Sequence, residues 1–293
     1  MAGYGDEYLT TRELADLLRI KERKVYDLAA SGDIPCTRAL GKLLFQRAAI
    51  DAWLARHGSG QVPAASSPPN VFLGSHDPLL EWSLRESESG SATIFDGSLD
   101  GLERFARREG IAAGLHVYDP PTDTWNVPAV AERFAHEPVV LVEWAWRERG
   151  LIVPPGNPMG IGSVADLAGK RVAPRQPRAG SQGLLDHLIG AAGLEREAMT
   201  WTRPARSETD AALAVLEGRA DAAFGLRSAA EQYQLGFMPV MRERFDLLVW
   251  RREWFEPPFQ AFLALCRGTA FRERAAALSG YDISGLGKVH YNG

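Results

Sequence analysis

The sequence predicts an α/β protein made of two domains of unequal size, and three observations support this prediction. Residues 58–70 (GSGQVPAASSPPN) are rich in glycine, proline and small residues and carry no charge, which is typical of a linker. Before this stretch, residues 1–57 show amphipathic helical patterns and a hairpin. After it, in residues 71–293, apolar strand-like runs alternate with helical patterns, which indicates a largely parallel sheet.

The charge distribution separates the two domains further. The chain has 293 residues, 45% of them hydrophobic, with 33 basic and 37 acidic side chains and a net charge of −4. This balance argues against a protein that coats nucleic acid through bulk charge, but it leaves room for a local basic patch. Residues 1–57 hold 9 basic and 8 acidic side chains, and within Ile20–Arg47 the count is 6 to 3. The basic charge is therefore concentrated in one short segment.

Cysteine content and the length of apolar runs bear on the compartment. Cys36 and Cys266 are the only cysteines, which excludes a disulfide framework and a cysteine-rich zinc site. The N-terminus has no basic and apolar signal region, and runs such as Val139–Val142 are far shorter than the roughly 20 residues of a membrane helix. We expect a cytoplasmic protein with no membrane partner and no cofactor.

The first domain is predicted to contain three helices and a hairpin. Thr10 followed by Glu13 forms a capping-box pattern at the start of the first helix, although Thr11 could serve instead. The predicted elements are helices over Leu9–Leu18, Lys21–Ala30 and Arg47–His57, and strands over Ile34–Arg38 and Lys42–Phe45 around a turn at Gly41.

This order of elements is that of a winged helix-turn-helix. In such a domain the second helix enters the major groove of DNA and the hairpin contacts the DNA backbone. Basic side chains occupy both places here, although they could also be solvated cations on a small protein-interaction module. The candidate DNA contacts are Lys21, Arg23, Lys24 and Tyr26 on the second helix, Arg38 and Lys42 at the hairpin, and Thr11.

Residues 9–54, LTTRELADLLRIKERKVYDLAASGDIPCTRALGKLLFQRAAIDAWL, resemble the excisionase-type, MerR-like helix-turn-helix family over nearly the whole domain. The resemblance is carried by the Thr-x-Glu-x-Ala-x-Leu-Leu first helix, the Val-Tyr pair, the Gly-x-Ile-Pro turn and the closing Trp-Leu. It implies that operator DNA is a partner of this domain.

The second domain is predicted from alternating strands and helices. Its predicted strands are Val71–Ser75, Ala92–Ser98, Leu115–Tyr118, Val139–Trp146, Leu151–Val153, Arg171–Ala173 and Ala220–Gly225. Its predicted helices are Pro78–Arg85, Leu99–Glu109, one that opens at Gly180, and Thr209–Glu217.

A Gly-Ser pair stands at three of the turns that precede a helix. The pairs are Gly74-Ser75, Gly97-Ser98 and Gly180-Ser181. Glycine allows close approach of the backbone, the hydroxyl donates a hydrogen bond, and the helix N-terminus attracts negative charge. Each pair could be only a helix cap. Together, at the carboxyl ends of strands, they predict a site for one small anion.

Two segments resemble the type II periplasmic-binding-protein superfamily, namely GSVADLAGKRVAPRQPRAGSQGLLDHLIGAAGL and EGRADAAFGLRSAAEQYQLGFMPVMRERFDLLV. The likeness spans residues 70–285 and is greatest to the cytoplasmic version that follows a helix-turn-helix and is grouped with molybdate-binding proteins. It implies two lobes, joined by crossover strands, that close on a ligand. Lobe one would be residues 71–155 and 240–293, and lobe two residues 156–239.

This resemblance also implies the residues of the cleft. They are Ser75, Ser98, His116 and Tyr118 from lobe one, the last two at the cleft edge, and Arg175, Gln176, Arg178, Ser181 and Gln182 from lobe two. The chain departs from the family pattern at Trp125, where a tyrosine is usual, and at RQPRAGSQG, which places Arg178 beside the turn. An arginine in the cleft would favour a carboxylate or an oxyanion. Arg175 could equally hold the turn through a salt bridge.

No pattern indicates an enzyme. Ser75, His76 and Asp77 are consecutive and cannot adopt the geometry of a catalytic triad, and the six histidines lack the spacing of metal ligands. We therefore expect a homodimeric one-component transcriptional regulator that senses a small anion, with molybdate or tungstate as the first choice. A small organic carboxylate is the alternative ligand. A ligand-storage or cofactor-delivery protein that does not bind DNA is the alternative function.

Overall fold

The computed structural model describes residues 8–39, 41–57 and 67–293. The chain divides into two compact units, Met1–Ser66 and Ser67–Gly293. Most of the predicted linker, residues 58–66, lies outside the described residues. Within the described ranges, no helix is both long enough and apolar enough to cross a membrane.

The N-terminal unit combines three helices with a small antiparallel sheet. Along the chain its elements are β1 (Tyr8–Thr10), α1 (Thr11–Leu18), α2 (Glu22–Ser31), β2 (Thr37–Ala39), β3 (Lys42–Gln46) and α3 (Arg47–His57). The strand order is β1-β3-β2. The sequence does not predict β1, because three residues are too few to show an alternating pattern.

Capping and burial explain the arrangement of this unit. The capping box at α1 is confirmed: the Thr10 hydroxyl accepts from the Glu13 N–H at 3.3 Å, and the Glu13 carboxylate accepts from the Thr10 N–H at 2.8 Å. The core side chains, none more than 3% exposed, are Leu14, Ala15, Val25, Ile34, Phe45 and Ile50. Because α1 and α2 turn their apolar stripes inward, their charged faces remain at the surface.

The large unit is a two-lobed α/β domain around one curled sheet. Its strands are β4 (Val71–Gly74), β5 (Ala92–Ile94), β6 (Ala112–Leu115), β7 (Tyr118–Asp119), β8 (Thr124–Trp125), β9 (Val139–Val153), β10 (Arg171–Ala173), β11 (Thr200–Trp201), β12 (Ala222–Leu226), β13 (Gly236–Trp250), β14 (Tyr281–Asp282) and β15 (Val289–Asn292). Its helices are α4 (Pro78–Glu86), α5 (Ser98–Ala106), α6 (Val127–Phe134), α7 (Gly180–Ala191), α8 (Glu208–Leu216), α9 (Arg227–Gln232), α10 (Pro257–Cys266) and α11 (Thr269–Ala276).

Two long strands join the lobes. The sheet order is β11-β10-β12-β9-β13-β6-β4-β5, with β14 and β15 also paired to β9. The antiparallel pair β9 and β13, 15 residues each, lies at the centre. Parallel strands β4, β5 and β6 lie on the β13 side in lobe one, and β10, β11 and β12 lie on the β9 side in lobe two. The predicted fold class, an N-terminal helix-turn-helix followed by a two-lobed α/β domain, is confirmed.

The structure corrects three strand predictions. The strand predicted over Leu115–Tyr118 lies at Ala112–Leu115. The sequence pattern missed it because this fully buried strand consists mostly of alanine and glycine, which give no alternating apolar pattern. The two predicted strands Val139–Trp146 and Leu151–Val153 are parts of β9, since charged residues interrupt its apolar pattern without ending it. The sequence does not predict β13, whose proline lies next to an irregularity in the pairing with β9.

Candidate functional site

The start of α2 presents three cations to solvent. Lys21 is the N-cap of this helix, Arg23 and Lys24 follow in its first turn, and all three side chains are exposed. Tyr26, one turn further, is 52% exposed. This helix end therefore offers positive charge and an aromatic ring, and the helix dipole adds to the attraction for a phosphate.

A concave surface of about 600 Å³ lies between the start of α1, α2 and the hairpin β2–β3. It brings together Thr11, Tyr26, Arg38 and Lys42, and it adds Arg12, which the sequence patterns did not single out although it follows Thr11 directly. Thr11 is largely buried, whereas the three cations are exposed. In the part of the chain that the structure describes, neither these cations nor those of α2 form an ion pair. They are therefore free to contact phosphates.

In lobe one, two of the Gly-Ser turns meet around His116. The Ser75 hydroxyl lies 2.8 Å from His116 Nε2, and the Ser98 hydroxyl accepts from the His116 backbone N–H at 3.1 Å. Gly74 has a φ of +97°, and a Cβ there would lie 2.3 Å from the carbonyl oxygen of Gly114, so only glycine fits this turn.

The third Gly-Ser turn, at the start of α7 in lobe two, reaches the same point. A Cβ on Gly180 would lie 2.5 Å from the His116 carbonyl oxygen and 3.1 Å from Ser98 Oγ, so the lobes touch here. Ser181 is 1% exposed, and its hydroxyl has no hydrogen-bond partner among the described residues. Such a hydroxyl is a group that a ligand oxygen could satisfy.

Arg178 bridges the two lobes beside this turn. Its guanidinium donates to Asp100 and, at 2.7 Å, to Glu103, both on α5 of lobe one. Its carbonyl oxygen accepts from the Leu99 N–H at 3.3 Å. The side chain predicted to attract a ligand anion is thus already paired with two carboxylates.

The other predicted residues of lobe two support the turn from within. Arg175 donates to Glu208 at 2.6 Å and to the Ala205 carbonyl at 3.1 Å, which is the salt-bridge alternative left open by the sequence. The Gln182 side chain accepts from the Arg175 N–H at 2.8 Å. Gln176 donates to the Arg206 carbonyl, in the loop before α8, at 3.4 Å.

The two side chains predicted at the cleft edge differ in burial. His116 is fully buried, because β6 carries it into the centre of the domain. Tyr118 is only half-buried, and its hydroxyl donates to Asp123 at 2.8 Å. Its ring packs 5.1 Å from Trp125 and 5.6 Å from His187 of α7, so Tyr118 also contacts lobe two.

A buried network of charges, which the sequence patterns did not predict, lies on the crossover strands. Arg147 and Arg149 of β9 are fully buried and share Glu243 of β13 as a partner. Arg147 also donates to Asp77 at 2.8 Å, and Arg149 donates to Glu208 at 3.0 Å. The signal in the sequence was two arginines separated by one residue in a mostly apolar strand, which places both on one face.

This network is balanced in charge. Burial acts to raise the pKa of Glu243 and Glu208, but the neighbouring guanidinia outweigh it: the pKa of Glu243 lies well below its usual range and that of Glu208 falls to about 2. Burial lowers the pKa of His116, which keeps the imidazole neutral. The network's three guanidinia, including that of Arg175, therefore face three carboxylates, including that of Asp77.

The lowered pKa of Glu208 predicts acid sensitivity. A depressed carboxyl pKa stabilises the fold above about pH 4.5, and this contribution disappears as the pH falls towards about 2. The loss from Glu208 alone should be about 3 kcal/mol in the free energy of unfolding, measured by urea denaturation at a series of pH values. Glu208→Gln should be less stable at neutral pH and fall less steeply below about pH 4.5. The control Glu217→Gln removes a carboxylate from an exposed ion pair, and its free energy of unfolding should depend on pH as that of the wild type does. The same pH dependence in all three proteins would contradict this prediction.

Comparison with known proteins identifies both units. Residues 81–267 match the family described as "PBP superfamily domain", and residues 8–58 match the one described as "Helix-turn-helix domain". The first match covers more than half of the chain, so the chain belongs to the PBP superfamily. It carries a helix-turn-helix domain at its N-terminus, and this pairing fits a ligand-sensing DNA-binding regulator.

Two relatives and one solved structure illustrate what this chain is similar to. "Uncharacterized protein YvgK" of Bacillus subtilis (strain 168) is 26% identical over 299 residues, which cover 96% of each protein. An "Uncharacterized protein in ferredoxin 2Fe-2S gene 5'region" of Clostridium pasteurianum is 28% identical over 108 residues, 36% of this chain and 96% of that protein. The regulatory domain of MetR, a LysR family regulator from N. meningitidis, superposes with a TM-score of 0.52 at 11% identity, over 73% of this chain and 96% of that one. At that identity the likeness shows the fold alone.

Proposed function

We propose that this member of the PBP superfamily is a one-component transcriptional regulator. Residues 1–57 bind operator DNA, residues 58–70 link the domains, and residues 71–293 sense a small anion. The observation that carries the proposal is the convergence of three Gly-Ser turns from both lobes, with the Ser181 hydroxyl buried and unpaired among the described residues. The exposed cations of α2 and of the concave surface beside it, which form no ion pair among the described residues, favour DNA binding over the ligand-storage alternative.

An oxyanion of the molybdate or tungstate kind is the ligand we favour over an organic carboxylate. The carboxylate alternative depended on arginines in the cleft, and Arg175 and Arg178 are already paired with carboxylates. Because every arginine of the buried network is matched by a carboxylate, the network has no spare positive charge for the ligand. We therefore infer that neutral hydrogen-bond donors hold the ligand. Hydroxyl groups such as that of Ser181 and the backbone N–H groups at the starts of α5 and α7 are donors of this kind.

Ligand binding would act on DNA binding through lobe closure. A ligand held by Ser98 of lobe one and Ser181 of lobe two stabilises the closed arrangement only, and so shifts the population towards it. In a homodimer, closure would change the separation of the two recognition helices, which must match the spacing of the half-sites.

A thermal-shift series tests the ligand. Molybdate or tungstate at saturating concentration should raise the melting temperature, whereas small organic carboxylates should not. Ser181→Ala should weaken the affinity for molybdate by about tenfold or more, because a hydrogen bond to a charged group is worth about 1.5–3 kcal/mol.

The matched control is Ser83→Ala, which removes an equally buried hydroxyl that donates to the Leu79 carbonyl within its own helix. This variant should keep the molybdate affinity of the wild type. Absence of stabilisation by both oxyanions would reject this ligand class, and stabilisation by a carboxylate would favour the alternative. A bulky residue at Ser98 should abolish the response to the ligand and leave DNA binding intact.

A further inference from the structure

Lobe one carries an exposed aromatic side chain with no evident role in the cleft. Phe255 is 77% exposed, which is the highest value among the large hydrophobic residues that the structure describes. It lies at the end of a short 3₁₀ turn, Glu253–Phe255, directly before α10. Burying such a side chain at an interface would remove a large apolar area from water.

An apolar groove lies beside Phe255. It consists of two adjoining cavities of about 280 and 300 Å³ that share Val142, Trp254 and Gly287. Phe255 and the half-exposed Val289 line the second cavity, and the first continues inward between aromatic side chains of α10. We call this groove together with Phe255 the Phe255 face. A protruding side chain and a recess thus lie side by side on one surface.

We propose that the Phe255 face is the interface of a homodimer with a second copy of this chain. A surface with an adjacent knob and recess is complementary to itself under two-fold rotation, so each Phe255 enters the groove of the other copy. This inference deepens the proposed function, in which two copies bind two half-sites.

The charges around Phe255 fit this arrangement. Exposed Arg251 and Arg252 precede Phe255, and Glu256 follows it. A two-fold axis near Phe255 makes the two segments antiparallel, so the arginines of one copy face Glu256 of the other. Within its own chain Arg252 pairs with Glu256 at 3.7 Å, whereas Arg251 forms no ion pair among the described residues and is the arginine that remains for Glu256 of the other copy.

The point at which the chain enters the large domain lies next to the same face. Ser67 and Asn70 line a small cavity together with Arg252, Glu253 and Glu256. A dimer built on the Phe255 face therefore holds both entry points at the interface.

Sedimentation velocity of the full-length chain tests the interface. The wild-type chain should sediment as a dimer, and Phe255→Glu should raise the dimer dissociation constant by about thirtyfold or more. Leu216→Glu is the matched control, because Leu216 is an exposed leucine, 48% exposed, at the end of α8 in lobe two. This control should leave the dissociation constant unchanged. Since Phe255 packs little against its own chain, Phe255→Glu should keep the far-ultraviolet circular dichroism spectrum of the wild type.

A charge exchange and a DNA titration complete the test. Arg251→Glu and Glu256→Arg should each weaken the dimer, and the double variant should restore it. A wild-type monomer, or a Phe255→Glu variant that dimerises as the wild type does, would overturn the proposed interface.

Fluorescence anisotropy with a duplex from the region upstream of the gene separates the two proposals. If Phe255→Glu disrupts a wild-type dimer but the wild type does not bind this duplex, the proposed interface stands and the regulator proposal fails. If the wild type is a monomer that binds the duplex, the regulator proposal stands and the interface fails.

Discussion

Replacement of Arg147 by methionine is expected to lower the free energy of unfolding of the large domain by about 3–5 kcal/mol. Arg147 is fully buried and donates to two buried carboxylates, those of Asp77 and Glu243. Methionine would fill much of the same space but would leave both carboxylates without this guanidinium. An uncompensated buried charge is far more costly than the loss of an exposed one.

The partners of Asp77 make this effect larger than that of a single ion pair. The Asp77 carboxylate also accepts from the Leu80 N–H at 2.7 Å, the Trp144 indole at 3.0 Å and the Tyr281 hydroxyl at 2.6 Å. It therefore caps α4 and ties β9 to β14 at the same time. Loss of the positive charge of Arg147 would leave the Asp77 carboxylate without a cationic partner and weaken the hydrogen-bonded group around it.

Urea denaturation followed by tryptophan fluorescence measures the change. The matched control is Arg219→Met, because Arg219 forms an ion pair with Glu217 at 2.6 Å in which both side chains are about half exposed. An exposed pair of this kind contributes about 0–1 kcal/mol. Equal stability of the two variants would show that the buried network does not stabilise the domain.

The variant with alanine at Lys21, Arg23 and Lys24 is expected to lose DNA affinity by about 10²–10³-fold at physiological salt. These side chains are exposed at the start of α2, and none forms an ion pair in the described ranges of the chain. Each phosphate that a cation neutralises releases counterions, so the slope of log affinity against log salt should decrease by about 0.9 for each cation removed. Fluorescence anisotropy over a series of salt concentrations measures both quantities.

The control for this variant is alanine at Arg133, Arg203 and Arg219, three exposed arginines of the large domain. It changes the net charge by the same amount and should leave affinity and slope near the wild-type values. If both triple variants bound DNA equally well, the cations of α2 would not bind the phosphates and the regulator proposal would fail.

Local patterns in the sequence predict much of the fold. The capping box at Thr10, the apolar stripes of α1 and α2 and the bounds of α3 depend on residues within one or two helical turns of each other. The Gly-Ser pairs are visible in the sequence as patterns before helices, but the close contacts that require glycine there, such as that of Gly74 with Gly114 and that of Gly180 with His116, are tertiary. By contrast, β13 carries a proline and alternating charges, and only its pairing with β9 makes it a central strand.

Only part of the candidate site can be predicted from local sequence patterns. The sequence predicts Ser75, Ser98 and Ser181 as candidate ligand contacts, and it places cations at the start of α2. It assigns Arg178 to the ligand, whereas the structure pairs this arginine with two carboxylates some 75 and 78 residues away in the chain. A sequence pattern cannot distinguish a free arginine from a paired one, because the partner is brought close only by the packing of the lobes.

The sequence by itself thus determines the capping box of α1, the position of the three Gly-Ser pairs before helices and the basic start of α2, since each is a pattern of residues adjacent in the chain. The contacts that bring the three Gly-Ser turns together are tertiary. Tertiary structure alone decides which charges are buried and paired. Glu243 lies opposite Arg147 because of the register of β13 against β9, although 96 residues separate them. A shift of one residue in that register would turn these side chains to the opposite face of the sheet, so the network exists only in the folded domain.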